Sequence, residues 1–284
     1  MNRNEKLIKI EDLMLDICSG RYHWRDAITE LEEYRKLAFD IYDSELEYSP
    51  MLQGYFDLMS INSLNPVRAR LATRSNQPLF RSKTDFMGFC DDLMSQHDQF
   101  INRQKRKRNR NATVLEKRFE KLVEDHCKLL LVRVDLSYRY DADTSIRDFD
   151  ANLEVLRRRI QNRDTCFKGV LDYSWAIEQG RDKGSHCHIL LIYNGSKYMK
   201  DEYYAMQLGK VWQDITDGEG CYFNCNSKAH KDQYRKQNTL GIGMIHRSNA
   251  LEVSRAFKAI SYLARADKED QHLRAKIRGK RGFG

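Results

Sequence analysis

Proline is scarce in this chain: three residues, Pro50, Pro66 and Pro78, all within one stretch from Ser49 to Pro78. Outside that stretch no proline interrupts the backbone, so regular elements can run long on either side of it. Long apolar runs are missing too. None approaches the roughly 20 residues that a bilayer-spanning helix needs, so no membrane role is expected. No secretory leader is expected either, because the sequence opens polar with Met1, Asn2, Arg3, Asn4, Glu5, Lys6. The seven cysteines, at 18, 90, 127, 166, 187, 221 and 225, are odd in number and scattered, which argues against a disulfide framework. Reduced thiols and a cytoplasmic location are expected.

What the chain does have is charge. Lys and Arg number 49 against 41 Asp and Glu, a formal net of +8, and this balance favours a polyanionic partner, most commonly nucleic acid, the alternative being a merely soluble basic protein. With 41% hydrophobic and 32% charged residues, a real core sits under a heavily solvated surface. A chain of 284 residues suffices for one large domain or two modest ones.

Three regions are expected. Residues 1–110 read as a helical accessory region ending in a basic linker. Helical spacing of apolar residues runs from Glu5 to Ser44 and again from Lys83 to Arg103, with loop signals from Ser49 to Pro78 between them. The basic run Lys105, Arg106, Lys107, Arg108 and Arg110 reads as a solvated linker that contacts DNA phosphates. Residues 111–270 read as an α+β domain. Val114 to His126 is helical, and Lys128 to Tyr138 alternates, with Leu130, Val132, Val134, Leu136 and Tyr138 on one face and Arg133, Asp135 and Ser137 on the other. A helix over Ser145–Asn162 follows, then a hairpin of Phe167–Glu178 with Ser185–Tyr193. A helix over Lys200–Ile215, strands near Gly220–Cys225 and Leu240–Ile245, and a helix over Ala250–Ala266 complete the order β-α-β-β-α-β-β-α. That order describes an antiparallel-rich sheet backed by helices. Residues 271–284 read as a basic, flexible tail.

The chemistry-bearing residues lie in the second region. In a strand, His186 and His188 project to one face while Cys187 points to the other. Two adjacent imidazoles suit a divalent metal. Across the hairpin, Glu178 can supply a carboxylate, giving an N/O donor set suited to Mg2+ or Mn2+; the alternative for Glu178 is an exposed charge beside a turn. Tyr262 shares a helical face with Lys258 and Arg265 and is a candidate nucleophile, the alternative being ordinary half-buried packing.

Together, Val134–Tyr138, Glu178 with Gly184–His188, and Tyr262–Arg265 resemble the three ordered motifs of HUH endonucleases. Within these the chain is most similar to the inovirus-type replication initiation protein family, also called the YagK/YfjJ C-terminal domain family. The resemblance spans about Thr113 to Asp270. It implies an HUH nuclease domain of RRM-like fold, with His186, His188 and Glu178 as metal ligands and Tyr262 as the nucleophile, supported by Lys258 and Arg265. Where a lysine often follows the tyrosine, this chain has Arg265, so that basic role falls to Arg265, Lys258 or Lys268. A single tyrosine occupies the motif. The implied activity is nicking and joining of single-stranded DNA at a replication origin in a bacterial host cell, with host helicase and polymerase as further partners. Arg133 and Asp135 are expected at the DNA, with metal binding an alternative for Asp135. Tyr138, Trp175 and Tyr193 are candidates for base stacking, with core packing as the alternative.

Rival readings exist. Cys221, Cys225, His230 and His246 form a loose zinc-like spacing. A relaxase or transposase would use the same chemistry for transfer, and a DNA-binding regulator would keep the fold without it.

Overall fold

The computed structural model describes residues 2–59, 79–140, 142, 144–180, 184–265 and 272–284. The chain divides into two units: Met1–Gln104 with Leu273–Lys280, and Lys105–His272 with Arg281–Gly284. The fold is α+β with antiparallel sheets and a helical N-terminal region.

The first unit begins with α1 (Arg3–Cys18), α2 (Trp24–Glu33) and α3 (Arg35–Ile41), where sequence periodicity predicts one helical stretch. The break after α1 is conformational. Gly20 takes φ +78°, the left-handed conformation that glycine adopts without a Cβ clash and that commonly ends a helix. The stripe Leu7, Ile10, Leu13, Met14 and Ile17 is buried, as are Leu31, Ile41, Leu52, Tyr55 and Phe56. Strand β1 (Leu46–Tyr48) leads into α4 (Pro50–Leu58), so the start of the expected loop is a helix. Pro50 opens α4 because the first helical residue needs no N–H partner. Pro66 and Pro78 lie outside the described residues.

Helix α5 (Lys83–Asp125) joins the two expected helices and runs straight through the basic segment. The linker expected there is helix because Lys and Arg are strong helix formers and nothing in the run breaks one. Lys105, Arg106, Lys107 and Arg110 are exposed on it.

The second unit is built on a five-stranded sheet. Strands β2 (Lys128–Tyr138), β3 (Val170–Gly180), β4 (Gly184–Asn194) and β5 (Gly220–Asn224) pair in the order β3-β4-β2-β5, and β6 (Gly243–His246) pairs with the other end of β2. Between them run α6 (Ile146–Gln161), α7 (Asp201–Ile215), α8 (Lys228–Lys236) and α9 (Ala250–Arg265). The alternation of β2 holds as expected. Leu130, Val132, Val134 and Leu136 are buried with Cys187, Ile189 and Leu191 of β4, to which they are paired or adjacent in register.

The opposite face carries two kinds of surface. Toward one end, Leu129, Leu131, Leu190, Ile192 and Ile245 pack against Leu115 and Phe119 of α5 and against Ala256, Ile260 and Leu263 of α9. Toward the other end the same face turns polar, with Arg133, Asp135, His186, His188 and Glu178. The apolar end therefore anchors α9, and the polar end gathers titratable side chains.

The tail expected to be flexible instead pairs twice. Strand β7 (Ala275–Ile277) pairs antiparallel with β1 in the first unit. At the edge of β3 in the second unit, the Gly282 carbonyl accepts from the Ile177 N–H, and Gly284 and Trp175 exchange two backbone hydrogen bonds. In both places open strand edges supply partners for backbone groups that a loose tail would leave to water.

Candidate active site

The β3–β4 register sets Glu178 directly across from His186 and Ala176 across from His188. On the other side of β4, the β2 register sets Asp135 across from His188. Because side chains alternate along strands, Glu178, His186, His188 and Asp135 all project from one sheet face.

Each imidazole is held by its Nδ1 side. His186 Nδ1 lies 3.1 Å from the Gly184 carbonyl oxygen, and His188 Nδ1 lies 2.6 Å from Asp135 Oδ1. Both acceptors take an N–H, so Nδ1 of each ring is a donor and Nε2 is the nitrogen turned inward, carrying a hydrogen where it bonds Glu178 and bare only where it would bind a metal. The two Nε2 atoms each lie 3.3 Å from Glu178 Oε2. Glu178 and His186 are 7% and 4% exposed, so this carboxylate has little water to lean on.

The three residues fit a divalent cation. Their donor atoms lie within 4.8 Å of one another. Metal–ligand bonds of about 2.1 Å put neighbouring ligands roughly 3.0–3.4 Å apart, which is the spacing between Glu178 and each imidazole. Three protein ligands leave coordination positions open for phosphate or water. No second cluster of this kind exists among the described residues. Cys221, Cys225, His230 and His246 do not form one; His246 instead bonds Glu252, and His230 packs against Phe223 and Tyr234.

Electrostatics match the geometry. Burial works against ionising Glu178, yet hydrogen bonds from His186 and His188 outweigh it and lower its pKa to about 2. Burial likewise opposes the charge on Asp135, but His188 and Arg133 together hold it well below the usual carboxylate range. For His188, desolvation pulls downward and the bonds to Asp135 and Glu178 win, so its pKa is raised. Asp135 thus orients the His188 ring. The carboxylate expected at the DNA is already engaged by His188 and by Arg133 Nε at 3.3 Å.

Arg133 links this cluster to the tyrosine. Its guanidinium reaches Asp135 and His188 Nδ1, the latter at 3.4 Å, and its central carbon lies 5.8 Å from the centre of the Tyr262 ring. Tyr262 is 47% exposed and so about half-buried, while its neighbours Ile260 and Leu263 pack into the core. Ser261 hydrogen-bonds Glu116 of α5, which fixes α9 against that helix beside the tyrosine. Lys258 is exposed on α9, and Arg265 ends that helix, its side chain lying outside what is described, as does Lys268.

The basic run enters here through α5. At about 1.5 Å per residue, Arg110 and Lys105 lie roughly 9 and 16 Å along the helix from Glu116. The aromatics expected to stack bases are packed instead. Trp175 and Tyr193 are buried, and Tyr138 packs against Phe149 and Trp212 with its hydroxyl bonded by Asn152.

Sequence reasoning misses two contributors. The first is the role of Asp135 and Arg133 around His188, which depends on the pairing of β2 with β4. The second is Asn226, fully buried, which accepts from the Arg133 backbone N–H and donates to the Leu131 carbonyl and to Asp201, holding this part of β2 in place.

No curated protein and no solved structure matches the chain. Residues 90–284, well over half of the sequence, match the YagK/YfjJ C-terminal domain, and the chain belongs to that family.

Proposed function

We propose that this chain is a single-tyrosine HUH endonuclease of the inovirus replication-initiator type. It nicks and rejoins single-stranded DNA at an origin to start rolling-circle replication of a phage or other mobile element. The observation that carries this reading is the exposed Tyr262 beside Arg133, whose guanidinium also contacts His188 of the candidate metal cluster.

His186, His188 and Glu178 would hold Mg2+ or Mn2+, which when bound polarises the scissile phosphate and offsets its developing charge. Gly184 and Asp135 keep both imidazoles in the tautomer that presents Nε2. Arg133 sets positive charge between that cluster and the tyrosine, where the attacked phosphate would rest. The Tyr262 oxygen bonds to phosphorus as the bond to the 3′-oxygen breaks. The phenol proton leaves to solvent and the 3′-oxygen takes one up, giving a 5′-phosphotyrosine and a free 3′-hydroxyl. Host polymerase would extend that hydroxyl while helicase opens the duplex. Lys105, Arg106, Lys107, Arg108 and Arg110 carry the charge to hold the strand's phosphates.

The test is incubation with single-stranded origin DNA and Mn2+, followed by denaturing gels and peptide mapping. An SDS-resistant adduct on Tyr262 is expected, abolished in Tyr262→Phe with DNA binding nearly intact. An adduct that persists in the Phe variant would assign the nucleophile elsewhere.

A further inference from the structure

Helix α8 buries none of its residues, yet it holds a defined place next to the candidate site. Its sequence carries Lys228, Lys231, Arg235 and Lys236 against a single acid, Asp232. Ser227 caps it, accepting from the His230 N–H. Strand β5 brings Phe223 to its side: Phe223 and His230 have ring centres 5.0 Å apart, and His230 and Tyr234 4.9 Å apart. Phe223 and Tyr234 are 48% and 40% exposed. A strand phenylalanine left half in water forgoes the burial that the apolar residues of β2 obtain. The three rings form an aromatic ladder with basic side chains interleaved along it.

The sheet register says where this ladder stands. Phe223 pairs with Asp135, Asp135 with His188, and His188 with Ala176, so one row crosses β5, β2, β4 and β3. Paired residues project to the same face, so Phe223 stands on the same side of the sheet as His188, two strands away. At about 4.8 Å per strand that is roughly 10 Å. His230 feels the same surroundings: burial and the charge of Arg133 lower its pKa, while Asp135 works the other way. A neutral, flat, apolar-faced ring is the form that stacks.

We infer that Phe223, His230 and Tyr234 form a base-stacking platform for single-stranded DNA beside the candidate metal cluster, with the exposed Lys228 and Lys236 of α8 holding its phosphates, since Lys231 and Arg235 are already paired with Asp201 and Asp232. The inference rests on the reading of this chain as one that acts on single-stranded DNA. Stacking on aromatic faces tolerates any base, and interleaved cations track the backbone, which is the pattern of strand-binding surfaces. The packed Tyr138, Trp175 and Tyr193 leave that task to this exposed set.

The test measures binding of the full-length protein to a mixed-sequence single-stranded oligonucleotide by fluorescence anisotropy, alongside adduct formation with Mn2+ on saturating single-stranded origin DNA. Phe223→Ala and Tyr234→Ala should each weaken binding about tenfold, the scale of one lost stacking contact, while Phe223→Trp retains it. An abasic oligonucleotide of the same length, which keeps the phosphates, should bind wild type and Phe223→Ala equally. Circular dichroism of each variant separates lost stacking from lost fold. Phe223→Ala and Tyr234→Ala binding the intact oligonucleotide as wild type does would overturn the platform, even if wild type forms the adduct. The converse result, weakened binding in both variants but no adduct from wild type, would uphold the platform and sink the nicking chemistry.

Discussion

Each unit of this protein buries a carboxylate, and each solves the problem differently. In the first, Glu11 is 1% exposed and meets the Nε of the equally buried Arg274 at 2.5 Å, with the Ser49 hydroxyl on its other oxygen at 2.5 Å. In the second, Glu178 is nearly as buried, but its partners are two imidazoles. A guanidinium stays protonated at any working pH, so Glu11 has a permanent counter-charge. An imidazole carries its proton only on the acid side of neutrality, so Glu178 has a conditional one. A metal ion would make it permanent. The first arrangement is a closed ion pair; the second is a donor set that a cation could complete.

The comparison is broken most directly by removing the permanent partner. Arg274→Ala leaves Glu11 buried with its charge largely unmatched, and such losses cost about 3–5 kcal/mol. Urea denaturation should show a loss of that size, and adding Mn2+ should not restore it. A loss below about 1 kcal/mol would mean water reaches Glu11 readily and that the first unit is no closed device.

A smaller effect sharpens the other half of the comparison. Asp135 lies outside the candidate triad and holds the His188 ring by its Nδ1–H. Asp135→Asn should therefore weaken Mn2+ binding about 10–100-fold without abolishing it, the usual consequence of losing a carboxylate behind a ligating histidine. Isothermal titration calorimetry with Mn2+ alone reads this directly, and Glu178→Gln should remove binding altogether. If Asp135→Asn proved as damaging as Glu178→Gln, Asp135 would be a ligand and not a positioning residue.

How much of this is legible in the sequence follows from the same contrast. Local patterns are readable. The alternation of Lys128–Tyr138, the hairpin that faces Glu178 with His186, and the helix carrying Tyr262 all depend on neighbours close in the chain. What depends on distant pairing is not. Asp135 meets His188 only because β2 lies beside β4, a register that nothing local announces. Strand β7 finds β1 across more than 200 residues, so a three-residue strand reads as a loose tail. Helix α8 is invisible for the opposite reason: with no buried residue it has no apolar stripe to reveal a helical period. The basic segment of α5 misleads in the same way, since charge without apolar spacing reads as a linker.

The smallest expected effect is also the most diagnostic, because its sign changes with the metal. In the metal-free protein His188 titrates above its ordinary value of 6.5, held up by Asp135 and Glu178 against burial. A group whose folded pKa is raised contributes stability that is complete below the unfolded value and is lost as pH rises through the folded one. Glu178 works from the other side: lowered from 4.5 to about 2, it contributes fully above 4.5 and loses that contribution as pH falls toward 2. The metal-free cluster is therefore most stabilising between about 4.5 and 6.5. Cation binding reverses the upper limit, since ligating imidazoles must be neutral and the metal displaces their protons as pH rises. Melting temperatures of wild type and His188→Gln, compared at about pH 6 and pH 8.5, isolate this contribution. With chelator, the advantage of wild type should shrink toward high pH, by about 1.4 kcal/mol at most for each tenfold gain in proton affinity that folding gives His188; with Mn2+ it should grow. Equal advantages at both pH values under both conditions would mean that His188 neither holds a proton for Glu178 nor gives it up to a metal, and the distinction between the two buried carboxylates would fail.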